Sequence, residues 1–234
     1  MRAAASAAAV GLQLSRLDNG LTIVTEALPG VRTASVGIWV AAGSRHEGAD
    51  EHGLSHLIEH MAFKGTARRS ARAIAEAIEN VGGEINAATS TEFTSYSARV
   101  LGEDVGLAID VLGDILTASV FDAAELGREV NVILQELAAA EDAPDDLVTD
   151  AFMEQAFVGQ AIGRPILGRP DTVRRFDAET IRTFLAREYV PGRMVLAAAG
   201  AVDHERVVAA AAKALGDMPD RRAVAPRPAG YTGG

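Results

Sequence analysis

The feature that most constrains the fold is a short apolar stretch with ionisable side chains inside it. Leu54, Leu57, Ile58 and Met61 surround His56, Glu59 and His60. Gly53 precedes the stretch, and Phe63-Lys64-Gly65-Thr66 follows it as a turn. The segment reads as a short buried helix. A carboxylate and two imidazoles are costly to bury without partners, so the fold must bring something polar to meet them. On a helix, His56 and His60 stand about 6 Å apart along the axis, on one face. Two imidazoles so placed can hold one metal ion. Glu59 shares their face, and a carboxylate beside such a site can take a proton from an attacking water. The competing reading is a pair of exposed histidines with no metal. A third ligand farther along decides between them.

Composition narrows the chemistry. The chain has 234 residues, 48 % of them hydrophobic, enough to bury a full core as one large domain or two small ones. A formal net charge of −10 argues against nucleic acid or an anionic membrane as the main partner and suits cationic ligands. There is no cysteine, which excludes disulfides and thiolate metal sites. A zinc site must then use histidine and carboxylate, and a water-open site of that type is more often catalytic than structural. No apolar run reaches the length of a membrane span. Residues 1–11 are alanine-rich with one arginine. They lack the apolar core and cleavage site of a secretion signal, so a flexible tail is expected, with an organelle-targeting leader as the alternative.

The remaining chain alternates between two periodicities. Leu12 to Leu17 and Leu21 to Glu26 flank Asp18-Asn19-Gly20, a hairpin signal. Ala34 to Ala41 reads as a central strand. Asp50 is the expected cap of the helix carrying the histidines, and Ser70 that of the next. Ile74, Ala77, Ile78 and Val81 mark an amphipathic helix ended by Gly82-Gly83. Two paired strands, Glu84 to Ser90 and Phe93 to Leu101, precede a helix over Asp104 to Ala118. Another helix starts near Asp122 and carries Leu126, Val130, Ile133 and Leu137. Pro144 separates it from a helix toward Phe157. A helix from Ala178 to Tyr189, a strand from Arg193 to Ala199 and a last helix capped by Asp203 complete the order. This succession predicts an α+β fold, helices layered on a mainly antiparallel sheet, over residues 12–218. No internal repeat is visible. The stretch 219–234, rich in Pro, Gly and Arg, reads as a linker.

The third ligand is sought on the helix after Asp122. Glu129 and Glu136 lie two turns apart on one face, with Val130, Ile133 and Leu137 beside them. Carboxylates among apolar neighbours need a partner, and metal with histidine would serve. Two exposed glutamates on an amphipathic helix are the plain alternative. Periodicity does not choose between Glu129 and Glu136. Among the other histidines, His52 is one turn before His56, but its place beside the preceding loop favours an ordinary polar residue.

The chain resembles the pitrilysin/insulinase family of zinc peptidases, whose inverted helix motif is His-x-x-Glu-His, and most closely the processing-peptidase branch. The likeness runs through Gly53-Leu54-Ser55-His56-Leu57-Ile58-Glu59-His60-Met61-Ala62-Phe63-Lys64-Gly65-Thr66, Gly82-Gly83, Asn86-Ala87-Ala88-Thr89-Ser90, the Glu129 to Glu136 helix and Tyr189-Val190-Pro191. The resemblance implies one Zn²⁺ per chain, held by His56, His60 and Glu136, with Glu129 orienting a ligand histidine and Glu59 as the proton-transferring base. It implies an endopeptidase that takes extended or unfolded peptides along a sheet edge at Asn86, Ala87 and Ala88. Many processing peptidases have tyrosine where Ala88 stands, so one side-chain contact is missing here. Asp146 and Asp150 are expected to meet an arginine near the cleavage site; a solvated acidic face is the alternative. The resemblance further implies a second homologous domain or subunit, and a bacterial cytoplasmic location, with the mitochondrial matrix as the alternative. The rival function is a non-catalytic partner subunit. A purely structural zinc site is disfavoured by Glu59.

Overall fold

A computed structural model describes residues 11–221 and 225–231. The expected N-terminal tail, Gly11 apart, lies outside the described residues. The strands are β1 (Leu12–Arg16), β2 (Thr22–Ala27), β3 (Thr33–Val40), β4 (Glu84–Thr89), β5 (Thr94–Leu101) and β6 (Met194–Gly200). They form one sheet in the order β1-β2-β6-β3-β5-β4. Neighbours are antiparallel except β2 with β6, so the sheet is mainly antiparallel and β3 is central. The helices are α1 (Leu54–Ala62), α2 (Ala71–Glu79), α3 (Val105–Thr117), α4 (Ala123–Glu141), α5 (Pro144–Ala156), α6 (Pro170–Val173), α7 (Ala178–Glu188) and α8 (His204–Leu215).

The inner strands bury every second residue. Along β3, Ala34, Val36, Ile38 and Val40 are buried while Ser35 and Trp39 are exposed. β5 repeats this with Tyr96, Ala98 and Val100 against Arg99, and β6 with Met194, Leu196 and Ala198 against Val195. A side-chain period of two on a sheet covered on one face gives this alternation. The covered face carries α3 over β3 and β5 and α8 over β2, with these two helices packed on each other. The result is two layers around one core. On the open face Gly37 leaves room for its neighbour: a Cβ there would fall 2.7 Å from the Trp39 ring.

Local signals hold the layers in register. Gly20 takes φ +95° in the β1–β2 turn, a conformation that favours glycine. Asn19 beside it donates from Nδ2 to the Leu215 carbonyl at 2.8 Å, so the hairpin turn also closes the end of α8. Ser70, Asp122, Asp177 and Asp203 cap α2, α4, α7 and α8 with their side chains. Asp50, by contrast, does not cap α1. It lies in a short 3-10 turn, Ala49–Glu51, and α1 starts from Gly53 in the left-handed conformation, φ 96°. That reversal folds the loop back onto the helix and presents position 47 instead. Glu47 accepts the N–H groups of Gly53 at 2.9 Å and Ser55 at 2.7 Å. Of the expected linker, residues 219–221 and 225–231 are described, and Arg45 donates to the Arg227 carbonyl at 2.7 Å. The Gln160 side-chain amide also bonds both the carbonyl and the N–H of Gly230.

Candidate metal centre

The site forms where α1 crosses α4. The amphipathic pattern of α1 buries Leu54, Leu57, Ile58 and Met61 in the core, which turns His56, Glu59 and His60 toward the helix's other neighbour. On α4, Leu126, Ile133 and Leu137 are buried on the face that also carries Glu129, so its glutamates look back at the histidines. His56 Nε2 lies 3.7 Å and His60 Nε2 3.6 Å from Glu136 Oε2. One donor atom from each of these three residues lies within 4.8 Å of the others. The two rings meet edge to face with centroids 4.6 Å apart.

The electrostatics suit a cation. Burial, helped by the neighbouring His60, drives the His56 pKa down to about 4, although Glu136 pulls the other way. His56 is therefore neutral near pH 7, the form that offers a lone pair. Glu129 behaves differently from Glu136. It is buried, and its Oε2 lies 3.0 Å from His60 Nδ1 while its Oε1 lies 2.6 Å from Lys64 Nζ. Burial pushes its carboxyl up, but the bonds from Lys64 and His60 outweigh that and hold it below the ordinary range. Glu59 is half-buried, and its side chain has no hydrogen-bond partner among the described residues.

The donor set fits a zinc ion. Tetrahedral zinc with nitrogen and oxygen ligands at about 2.0–2.1 Å places those ligands about 3.3 Å apart, near the distances seen here. Glu136 Oε2 is buried without a hydrogen-bond partner, a costly state that a cation would relieve. Two imidazoles and one carboxylate also leave a fourth position for water.

The other expected residues stand elsewhere. Asn86, Ala87 and Ala88 lie on β4, the edge strand next to β5. Ala88 is exposed, and Thr89 ties this edge to the metal helix through the Ser55 carbonyl at 3.3 Å. Asp146 and Asp150 lie one turn apart on α5, outside the metal cluster. Burial, then Asp146 and Glu154, push the Asp150 carboxyl up. The sequence singled out neither Glu154, paired with Arg169 at 3.2 Å, nor Glu47. It also left Lys64 as a turn residue, although its spacing of four from His60 would have marked it. His52 is engaged elsewhere: its Nε2 bonds the Pro165 carbonyl at 2.7 Å.

Sheet, motif helix and facing glutamates together define a domain of the inverted-motif peptidase class. The chain belongs to the insulinase family, peptidase family M16, whose family model matches residues 22–170. A second model, the peptidase M16 inactive domain, matches residues 175–233, a stretch that holds none of the site residues above. An uncharacterized zinc protease of Streptomyces coelicolor is 48 % identical over 192 residues, covering 82 % of this chain and 42 % of its own. A probable mitochondrial-processing peptidase subunit beta of Arabidopsis thaliana is 42 % identical over 226 residues, covering 94 % and 43 %. A protease from Helicobacter pylori shares the fold with a TM-score of 0.86 at 21 % identity, over 94 % of this chain and 53 % of that one. The chain thus spans about half the length of the curated relatives it matches. No helix among the described residues is long and apolar enough to cross a membrane.

Proposed function

We propose that this chain is the catalytic half of a zinc-dependent endopeptidase that hydrolyses extended or unfolded peptides. The observation that carries the reading is the convergence of His56 Nε2, His60 Nε2 and Glu136 Oε2, with Glu59 on the same short helix as both histidines. Those three atoms would hold one zinc ion. When bound, zinc supplies a Lewis acid that acidifies water and polarises a peptide carbonyl. Glu59 accepts a proton from the attacking water at its carboxylate and passes it to the leaving amine nitrogen as the C–N bond breaks. Glu129, an ionised acceptor, fixes the proton of His60 on Nδ1 and so leaves the Nε2 lone pair free.

Substrate binding follows from the edge and the acidic helix. β4 is the edge strand, where an extended peptide would add as a further strand once the Asn86 side chain releases the Ala87 N–H it accepts at 2.9 Å, and the small side chains of Ala87 and Ala88 leave it room. Asp146 and Asp150 form an anionic stripe with no ion pair among the described residues, fit for an arginine of the substrate. The relatives' length supports a second homologous half as the working partner. A bacterial cytoplasmic location is the compartment we propose, with bacterial zinc proteases among the relatives.

The test measures zinc content and peptide cleavage on the same sample, supplied with the second half of a full-length relative. We expect about one zinc per chain in the wild type and in Glu59→Gln, with cleavage lost only in the variant. Zinc bound without any wild-type cleavage would instead support a non-catalytic subunit.

A further inference from the structure

Glu129 and Glu136 lie on one face of α4, and as isolated carboxylates they are equivalent ligands for a cation. Their surroundings separate them. Glu136 Oε2 is buried with no partner. Both oxygens of Glu129 are engaged, Oε1 by Lys64 Nζ at 2.6 Å and Oε2 by His60 Nδ1 at 3.0 Å. An ionised carboxylate has no proton to give, so His60 Nδ1 must be the donor in that bond. Lys64 sits in the turn just after α1, where Lys64 N–H bonds back to the Met61 carbonyl at 3.1 Å. The ammonium therefore comes from the same short segment that carries both histidines.

We propose that Lys64 is a positioning residue that assigns the two glutamates their parts. It pins Glu129 as the acceptor of the His60 Nδ1 proton and leaves Glu136 as the only carboxylate ligand. This rests on the reading of His56, His60 and Glu136 as zinc ligands. Three consequences follow from the geometry. A pinned Glu129 cannot swing its carboxylate toward the cation. The fixed Nδ1–H keeps the His60 Nε2 lone pair facing the place where Glu136 Oε2 lies. The ammonium also balances the charge of the buried Glu129, so that carboxylate is satisfied without drawing on the cation.

Zinc affinity, measured by chelator competition on the full chain, tests this with Lys64→Met, Lys64→Gln and Lys64→Arg. The neutral variants should bind zinc about tenfold or more weakly, while the Arg variant, which can hold the same oxygen, stays close to wild type. Two neutral variants are used so that a folding failure of one leaves the other to decide. Nitrogen-15 spectra of the metal-free chain give a readout independent of the metal. They should show His60 protonated at Nδ1 in wild type and a tautomer mixture in the neutral variants. Wild-type affinity in the neutral variants, an equal loss in the Arg variant, or an unchanged tautomer each overturns the proposal while the metal centre stands. Failure of the wild type to bind zinc overturns the metal reading, and this inference with it.

Discussion

At the residue scale, the site depends on how neighbouring groups divide the work. Glu136 offers a free oxygen where Glu129 offers none. Glu136→Ala should therefore lose bound zinc, while Glu129→Ala should keep zinc with affinity lowered about 10- to 100-fold, as titration with a chelator would show. Full zinc occupancy in Glu136→Ala together with loss in Glu129→Ala would reverse the two roles. Glu47 makes a second prediction. Burial, partly opposed by the amide bonds of Ser55 and Gly53, raises its carboxyl from 4.5 to about 7. A raised folded pKa means that the protonated form is favoured in the fold. The stability it contributes is complete below pH 4.5 and is lost as the pH rises through 7. Between pH 5 and pH 8 wild type should lose about 3 kcal/mol relative to Glu47→Gln, which cannot ionise. Urea unfolding of both chains without metal at the two pH values measures this, and an identical pH dependence in both would contradict it.

At the element scale, α1 and α4 behave as a pair and α5 as a separate surface. α1 packs on α4, and each helix buries apolar residues, Leu57 and Ile58 on one and Ile133 and Leu137 on the other, so the proposed metal donors are placed by packing as much as by their own chemistry. Helix α5 buries only Ala156 among its residues, and its acidic stripe faces outward. The Asp150 carboxyl, raised by burial and by its acidic neighbours, should fall when a guanidinium approaches. Replacing both Asp146 and Asp150 by Asn should lower kcat/KM about tenfold for peptides with arginine near the cut. Peptides without arginine should be affected little. Equal effects on both peptide classes would assign α5 to something other than arginine recognition.

At the scale of the molecule, the relatives are about twice as long as the chain, and among the described residues the sheet and α5 present exposed surfaces. Leu147, Val148 and Phe152 on α5 are 47 %, 64 % and 66 % exposed, an apolar set that a second half or another copy would cover. An open site also keeps water around its charges, which weakens every electrostatic contact in it. Alone, the chain should bind zinc, self-associate in sedimentation, and cleave peptides slowly. Adding the second half of a full-length relative should raise kcat/KM about 100-fold. Fast hydrolysis by a verified monomer would refute the half-enzyme reading and leave the zinc site untouched.

The pattern of periods was enough to read the strands and helices, because burial on one face of a sheet or helix writes itself into residue spacing. The hairpin at Asn19-Gly20 and the caps at Ser70 and Asp203 were legible because each rests on residues a few positions apart. His56, Glu59 and His60 could be grouped because one helical turn brings them together. What the sequence could not decide from spacing was anything settled between elements. Glu129 and Glu136 share a face, and only the tertiary contact with Lys64 and His60 separates an engaged carboxylate from a free one. The cap of α1 escaped too, because the left-handed turn at Gly53 substitutes Glu47 for Asp50. The single parallel pair, β2 with β6, joins strands far apart in the chain. Local periodicity carries no record of such long-range pairings; the packing of the whole core selects them.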